Sequence, residues 1–493
     1  MIQLRPYQLD GVNNIREAFR TNKRVLYVAP TGSGKTVQFA YICAKAIEKG
    51  STVLVLSHRI EIFKQNLKAV SNYTKDICLI DGDNKRIDGQ AKLFVGMVET
   101  FKRRIKLFAD VKFDLIICDE AHTQTYYSIF DAFPDVKVLG VTGSPVGKKL
   151  HLYYDTIVES IGIPELIEQG FLCRCLGYEM RDDFSDLKTD SSGEFTDKSN
   201  FEHFSKAKIF DGLIEKYLEK CIGKKTLIFC VNIEHSEQTV RAFKAAGITA
   251  YSLTSETSDS ERERILREYG HTFHVLVNAN ILNSGFDDPS IEVVIFNRAT
   301  SSLIFWLQGC GRGSRPFINK ANFMVIDFGG NFSRLGLWSQ ERNWTLEPPK
   351  NKKKGLGAAP IRSCAGCGAM LPAQQRKCEY CGYQMTDKEK ELLKGELVEV
   401  KQKGPPPVPS DLVGLNVSEC SIEQLIQLEV SKVLKSPFVW RILRSRGEPD
   451  IITYANLKGY KNGWTHRQVM TMLDENEAVG KVEFRDFKVR ASV

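Results

Sequence analysis

The sequence predicts an α/β fold in which two parallel-sheet sets follow one another, with a small cysteine-held module and a mainly helical tail behind them. Three observations predict it. Short, continuous apolar runs alternate with helix-length amphipathic stretches, the pattern of strands buried on both faces of a parallel sheet. Polar motifs stand directly after those runs, at the carboxyl ends of strands, where open α/β sheets bind their ligands. Four of the 13 cysteines stand apart as two C-x-x-C pairs. At 493 residues the chain exceeds a single core, and its length corresponds to about three domains.

Leu4-Arg5-Pro6-Tyr7-Gln8 stands ahead of an amphipathic stretch over residues 11–19. The first strand, Val25-Leu26-Tyr27-Val28, runs into Ala29-Pro30-Thr31-Gly32-Ser33-Gly34-Lys35-Thr36, and a helix follows from Val37. Strand, small-residue turn and helix are the setting in which a compact variant of G-x-x-x-x-G-K-[ST] has chemical meaning. Glycines let consecutive backbone N–H groups turn toward phosphate oxygens at the positive end of the helix. Thr31, Gly32, Ser33 and Gly34 form that cradle, Lys35 reaches the β- and γ-phosphates, and the Thr36 hydroxyl faces Mg²⁺. A bound nucleoside triphosphate is the expectation, with an ordinary glycine-rich turn as the plain alternative.

A second strand over residues 52–56 ends in Ser57-His58-Arg59, and a third over residues 93–98 ends in Glu99-Thr100-Phe101. Leu115-Ile116-Ile117-Cys118 runs directly into Asp119-Glu120-Ala121-His122. Downstream of a phosphate loop, Asp119 is the expected holder of Mg²⁺, and Glu120 the group that orients and deprotonates the attacking water. Taken alone, such a pair is a solvated loop. Residues 136–141 form another strand, closing in Thr142-Gly143-Ser144-Pro145. The pattern shifts at residues 163–170, and the polar, acidic residues 181–201 read as a linker or a surface insertion. A second α/β set opens at residues 225–231, with a helix over residues 233–246 and a strand over residues 273–277. Val293-Val294-Ile295-Phe296 precedes a helix carrying Gln308-Gly309-Cys310-Gly311-Arg312-Gly313-Ser314-Arg315. This half has no phosphate loop of its own, so it would touch the nucleotide of the first half across a cleft.

The formal net charge is +8, and residues 347–493 carry 24 Lys+Arg against 18 Asp+Glu, or +6 of it. A basic tail fits a polyanion partner, with solvated surface charge as the plain alternative. The amino terminus has no signal pattern and no apolar run is long enough to span a bilayer, so the expected location is cytoplasmic with no membrane partner. Nine scattered cysteines, Cys43, Cys78, Cys118 and Cys230 among them, read as small buried hydrophobes in a reducing compartment.

Residues 347–355 read as an exposed basic linker. Beyond it, Cys364-x-x-Cys367 and Cys378-x-x-Cys381 are each followed by a glycine, Gly368 and Gly382. Two such knuckles set four thiolates at the corners of a tetrahedron, which suits Zn²⁺. A reducing compartment disfavours disulfides, and an iron–sulfur cluster is the lesser alternative. Arg376, Lys377, Tyr380 and Tyr383 either touch nucleic acid or cover a tiny core. Residues 403–409, rich in proline, form a stiff linker. Residues 422–434, 438–443 and 466–473 read as helical. Between them Lys458-Gly459-Tyr460-Lys461-Asn462-Gly463-Trp464 is either a stacking grip on a single strand or an aromatic-anchored turn.

Taken in order, the phosphate loop, Asp119-Glu120-Ala121-His122, Thr142-Gly143-Ser144, Gly285-Phe286-Asp287 and residues 308–315 resemble the superfamily 2 helicases and translocases of the DEAH-lettered kind, over about residues 1–345. The resemblance implies two tandem RecA-like parallel-sheet domains, residues 1–165 and 166–346, with ATP in the cleft between them. A basic linker and zinc ribbon (347–385) and a mainly α-helical accessory region (386–493) follow. It implies that Gln8 reads the adenine edge, that Gly285 and Asp287 lie at the nucleotide, and that Gln308 helps place the water. Arg312 and Arg315 become arginine fingers on the γ-phosphate, a role suited to a bidentate guanidinium. Thr142 and Ser144 couple nucleotide state to strand contact. The middle residue of that motif is usually alanine in the family, and Gly143 leaves the strength of coupling open. Ser57, His58, Arg59, Thr100 and Ser284 are the implied nucleic-acid contacts, holding phosphates without reading sequence.

Within the family the chain resembles RadD-like bacterial and UvsW-like phage helicases, and Ser284-Gly285-Phe286-Asp287-Asp288-Pro289 with residues 308–315 and 325–331 is RadD-like. That likeness implies an ATP-dependent DNA helicase or translocase acting on branched or repair and recombination intermediates, in a bacterial or phage-infected cell. Its cofactors are ATP, Mg²⁺ and Zn²⁺, and its partners single-stranded or branched DNA together with replication or repair proteins. An RNA helicase of the same fold, and an ATP-switched nucleic-acid clamp without unwinding, stay open as alternatives.

Overall fold

The computed structural model describes residues 3–84, 87–147, 149–180, 182–279, 281–282, 286–348, 361–373, 375–384, 412, 415–430, 434, 436–458 and 469–470. The chain divides into two compact units, Met1–Met385 and Thr386–Val493.

In the first unit, β1 (Arg24–Val28), β2 (Val53–Ser57), β3 (Ile77–Ile80), β4 (Leu93–Met97), β5 (Leu115–Asp119), β6 (Lys137–Thr142) and β7 (Thr156–Glu159) form one sheet. Their order is β3-β4-β2-β5-β6-β1-β7, with every pair parallel. Successive side chains of a strand point to opposite faces. Leu26 and Val28 therefore enter one core with Leu54, Phe94 and Ile116, while Val25 and Tyr27 enter the other with Phe39, Val53 and Ile117. Burial of each such side chain contributes about 1.5–3 kcal/mol, which is why these apolar runs form strands and not exposed loops.

A second parallel sheet contains β8 (Arg174–Glu179), β9 (Thr226–Phe229), β10 (Ala250–Leu253), β11 (Val275–Asn278), β12 (Val293–Phe296) and β13 (Asn322–Asp327). The order is β10-β11-β9-β12-β13-β8. Leu227 and Phe229 face one core with Trp306 and Phe323, and Ile228 faces the other with Phe243 and Leu213. This sheet begins at Arg174, well before the strand expected at residues 225–231, and β8 completes it beside β13. Residues 182–201 are an insertion packed on this sheet and not a linker, because Phe184, Leu187, Phe195 and Phe201 sit against its core. The helix Asp197–Phe204 is capped by the Thr196 hydroxyl, which accepts from Ser199 N–H.

A short antiparallel pair, β14 (Ile361–Ser363) and β15 (Met370–Pro372), follows. The second unit, taken by itself, packs the helices Ile422–Val430, Ser436–Arg446 and Glu448–Leu457 around Leu425, Leu428, Trp440, Leu443, Ile451 and Tyr454. The last of these helices was not expected from the sequence; Gly447 precedes it and Pro449 stands in its first turn. The linker residues 403–409, residues 459–464 and most of residues 466–473 lie outside the described residues. No helix among the described residues is long and apolar enough to cross a membrane.

Candidate functional site

The turn after β1 reaches the helix Lys35–Glu48 through Gly34, whose backbone is left-handed at φ 82°. A Cβ there would lie 2.5 Å from Gln8 Nε2, so the position needs glycine for its conformation and for the close approach of Gln8. The loop is tied from behind: the Tyr7 hydroxyl (2.8 Å) and Gln8 Nε2 (3.1 Å) both donate to the Ser33 carbonyl. Gln8 Oε1 accepts from Arg5 N–H at 3.0 Å, which fixes the amide orientation. Lys35 Nζ donates to the Ala29 and Pro30 carbonyls at 3.1 and 3.2 Å. Burial lowers its pKa, and the carboxylates of Glu120 and Asp119 oppose that shift.

Asp119 ends β5 and is only 6% exposed. Its Oδ2 accepts from Asn66 Nδ2 at 3.1 Å, its Oδ1 from Glu120 N–H at 2.9 Å, and the Tyr126 hydroxyl donates to its carbonyl at 2.6 Å. Burial, reinforced by the Glu120 charge, pushes the Asp119 carboxyl up to about 6, and Lys35 pulls it down. A buried anion in that position favours a cation beside it. Glu120 has a left-handed backbone, φ 52°, uncommon for a residue with a side chain. Its carboxylate lies 3.4 Å from His122 Nδ1, which also bonds the Thr142 hydroxyl at 3.0 Å. Burial, then the Lys35 and Arg59 charges, holds His122 at about 4, so the imidazole is neutral at pH 7. The Thr142 hydroxyl in turn accepts from Ser144 N–H at 3.2 Å.

From the second sheet, Asp287, Arg312 and Arg315 come to the same place. Together with Thr31, Gly32, Gly34, Lys35, Thr36, Asp119 and Glu120 they line one cavity of about 250 Å³. Arg315 pairs with Asp287, and Arg312 donates to the Phe286 carbonyl. Both guanidinium groups are held below the usual arginine range, chiefly by burial, and for Arg312 also by the Arg315 charge. Three cations therefore face three carboxylates in one cleft, an arrangement that accepts a polyanion accompanied by a divalent cation. A Cβ on Gly311 would come 2.8 Å from Thr31 Cγ2, a measure of how closely the second sheet's helix end meets the phosphate loop.

Gln8, Ser33 and Gln308 do not line this cavity; all three are buried, Gln8 behind the loop, Ser33 within it and Gln308 in the helix Leu303–Cys310. Gly285 and Ser284 lie outside the described residues. The expected surface role of Ser57 is corrected: it is fully buried, and its hydroxyl accepts from Asn66 Nδ2 at 3.0 Å. His58 and Thr100 are half-buried and Arg59 is exposed, at the carboxyl ends of the neighbouring strands β2 and β4. Sequence reasoning missed Ile62 and Gln65 in the cavity wall, Asn66 as the holder of Asp119, and Tyr7 as a tether of the loop. Tyr7, next to Gln8, carried a signal; the other three carried none.

The four spaced cysteines converge, with all Sγ atoms within 4.8 Å of one another. Cys364 Sγ lies 3.7 Å from Cys381 Sγ, and Cys367 Sγ 3.8 Å from Cys378 Sγ. A zinc tetrahedron with arms of about 2.3 Å has edges of about 3.8 Å, so the donor set fits Zn²⁺. Gly368 N–H bonds the Cys364 carbonyl and Gly382 N–H the Cys378 carbonyl, so the two knuckles match. The module is docked on the edge strand β8: the Tyr380 hydroxyl donates to the Cys175 carbonyl at 2.6 Å, Arg174 pairs with Glu379 at 2.8 Å, and Met370 enters the second-sheet core. Tyr380 thus covers a core and does not face a ligand.

Residues 1–147 match the family model described as type III restriction enzyme, res subunit, and residues 206–316 that of the helicase conserved C-terminal domain. A 51.5 kDa protein of a Lactococcus phage (isolate 7-9) is 28% identical over 393 residues, covering 76% of this chain and 83% of that protein. A Schizosaccharomyces pombe protein described as a mitochondrial ATP-dependent helicase, irc3, is 32% identical over 386 residues; the match covers 73% of this chain and 63% of the relative's length. Among solved structures, a fragment described as an HsdR subunit of a type I restriction enzyme from Vibrio vulnificus shares the fold. Its TM-score is 0.54 at 20% identity, with 67% of this chain and 66% of that one covered.

Proposed function

We propose that this chain, which belongs to the superfamily 2 helicases, is an ATP- and Mg²⁺-dependent DNA motor. The observation that carries this reading is the convergence of Lys35, Asp119 and Glu120 from one sheet with Asp287, Arg312 and Arg315 from the other around a single cleft. Hydrolysis in such a cleft depends on both sheets being in place, which is the requirement of a motor driven by domain closure.

In this reading Lys35 leaves the Ala29 and Pro30 carbonyls and takes the β- and γ-phosphates, while the loop amides of residues 32–36 hold the remaining oxygens. Thr36 and Asp119 would hold Mg²⁺, which neutralises phosphate charge when bound. Glu120, held near neutral His122, orients the attacking water and accepts its proton. Arg312 and Arg315 meet the charge developing on the γ-phosphate, and Gln308, implied by the resemblance to help place the water, lies outside the cavity wall. Gln8 would have to release the Ser33 carbonyl or Arg5 N–H to offer its amide edge to the adenine. Thr142 and Ser144 report nucleotide state through His122. Arg59, His58 and Thr100 are assigned to strand binding, and Ser284 by the family resemblance alone. The domains are assigned as residues 1–165 and 166–346, with the linker and ribbon at 347–385 and an accessory region at 386–493.

Branched repair or recombination DNA is the substrate we assign, on the RadD-like residues 284–289 and 325–331 and on the cysteine module, whose donors fit Zn²⁺. The description of the fission-yeast relative as an ATP-dependent helicase supports the motor; the fold shared with the HsdR fragment supports the architecture alone. The test is ATP turnover at fixed salt with single-stranded DNA, forked DNA, a four-way junction and matched RNA. Strongest stimulation by branched DNA supports the assignment. Stimulation by RNA alone moves the protein to the RNA branch of the same fold, and turnover unaffected by any of them overturns the motor.

A further inference from the structure

The acidic insertion of the second sheet has a chemical role that the motor reading leaves unused. Residues 181–197 hold six Asp or Glu against two Lys or Arg. They lie against cations of this sheet: Asp186 pairs with Lys206 at 2.6 Å and Asp182 with Lys208 at 2.9 Å. At the tip of the insertion, the Glu194 carboxylate is clamped at the carboxyl end of β12. One oxygen accepts from the Thr300 hydroxyl at 2.9 Å, both accept from Ser301 N–H at 3.2 and 3.1 Å, and the second lies 2.7 Å from the Ser301 hydroxyl, whose single proton it shares with the Gly193 carbonyl, also at 2.7 Å. Thr300 is 1% exposed, whereas Ser191, Ser192 and Gly193 at the tip are exposed and Glu194 is half-buried.

Two arginines surround this seat. Arg334 donates to the Thr300 carbonyl at 3.1 Å and stacks on Phe195, and Arg298, 6% exposed, stacks on Phe305. Burial lowers the pKa of both guanidinium groups; the Glu194 charge opposes that shift for Arg298, and Asp327, Glu179 and then Glu194 oppose it for Arg334. Hydroxyls, a backbone amide and flanking guanidinium groups are the donors that hold phosphate oxygens without reading sequence. A carboxylate and a phosphate are interchangeable there, since each offers charged oxygens that only accept. The exchange needs the Glu194 side chain to rotate, with the backbone anchored by the Thr189–Phe195 bridge and by the Thr196 N–H bond to the Lys188 carbonyl.

We propose that Thr300 and Ser301 form a phosphate seat on the second sheet, filled in the free protein by Glu194 and yielded to a backbone phosphate when a nucleic-acid strand binds. The inference rests on the nucleic-acid reading above. It makes Glu194 a built-in competitor that keeps the strand-free protein from binding stray anions at this seat.

The experiment is the binding of fluorescent oligo(dT) and oligo(rU) to the full chain over a salt series. Glu194→Gln keeps the shape and one acceptor but removes the charge. Affinity should rise about three- to tenfold at low salt. The slope of log affinity on log salt should steepen by about 0.7, since the phosphate then enters without an internal anion leaving. Adding Thr300→Val and Ser301→Ala to Glu194→Gln should abolish the gain. Glu194→Asp, which keeps the charge on a shorter arm, should fall between wild type and Glu194→Gln and guards against a folding defect in the latter. Wild-type affinity and slope in Glu194→Gln, or weaker binding, overturns the seat while leaving the nucleic-acid reading standing. Failure of every variant and the wild type to bind either oligonucleotide overturns both.

Discussion

Gly143→Ala places a methyl group where superfamily 2 helicases usually carry one, and the structure sets the size of the effect. The backbone of Gly143 is not left-handed, so alanine adopts it without strain. The new Cβ would lie 3.3 Å from both Lys35 Nζ and Thr31 Oγ1, and 3.6 Å from the Ala29 carbonyl oxygen. The backbone contact is ordinary. The other two are tight by a few tenths of an ångström, and Lys35 Nζ ends a side chain with four torsions that yields readily. A carbonyl bond from an ammonium contributes about 1.5–3 kcal/mol, and loosening one of the two without breaking it forfeits about a third of that, or about 0.5–1 kcal/mol. The lost freedom of the unfolded chain returns about 0.4–1 kcal/mol, so the two nearly cancel and Tm should move by no more than about 3 °C. A residual displacement of Lys35 worth about 1 kcal/mol changes ATP turnover by about fivefold. Thermal unfolding and steady-state turnover with saturating single-stranded DNA measure both quantities. A hundredfold loss of turnover at unchanged Tm would refute the reasoning, because it would mean that Lys35 cannot give way and that glycine is obligatory here.

The remaining predictions concern the cleft, the cysteine module and a buried histidine. Lys35→Ala and Glu120→Gln should each lower ATP turnover by at least about a thousandfold with circular dichroism unchanged; wild-type turnover in either would sink the site assignment. Cys364→Ser should release bound zinc and lower Tm, because the module packs Tyr380 and Met370 on β8; unchanged zinc content on elemental analysis would remove the metal claim. His235 is fully buried, and its Nδ1 accepts from Val231 N–H at 3.3 Å. Burial holds it at about 4, below the usual 6.5. The unfolded chain therefore binds the proton below about pH 6.5 and the folded chain only below about pH 4. Stability present above pH 6.5 falls as the pH drops through that window, by about 2 kcal/mol at pH 5 relative to pH 7. His235→Asn should flatten that part of the dependence in urea titrations at the two pH values; an identical slope with and without the imidazole would count against it.

What could be read from the sequence and what could not divides along physical lines. The central strands declared themselves, because a strand with neighbours on both sides and helices on both faces must be apolar throughout: β2 and β5 are buried at every position. Of the strands in the two large sheets that the sequence pattern does not announce, β3, β7, β8 and β10 are the four sheet edges, and β13 alone is interior. With one neighbour each, the edges keep half-exposed positions, as in β3, where buried and half-buried residues alternate. β8 is bounded by Arg174 and Glu179 and holds only Cys175, Leu176, Gly177 and Tyr178 between them, so its apolar signature is short although it supports the cysteine module.

The same division holds within the candidate site. The phosphate loop is local chemistry, with its cradle, cation and hydroxyl inside eight residues, and it could be read directly. Tyr7 is tied to a carbonyl 26 residues away and Asn66 to a carboxylate 53 residues away, and no local pattern announces such pairs. Residue type says what a group is able to bind, whereas the fold decides which partner arrives first. Ser57 illustrates the point: a serine at a strand end reads as a phosphate contact, yet Asn66 has already taken its hydroxyl. That does not remove Ser57 from function. One Asn66 amide donates to both the Ser57 hydroxyl and the Asp119 carboxylate, at 3.0 and 3.1 Å. The turn carrying His58 and Arg59 and the carboxylate assigned to Mg²⁺ therefore share a donor, and a shift of either redistributes its two bonds.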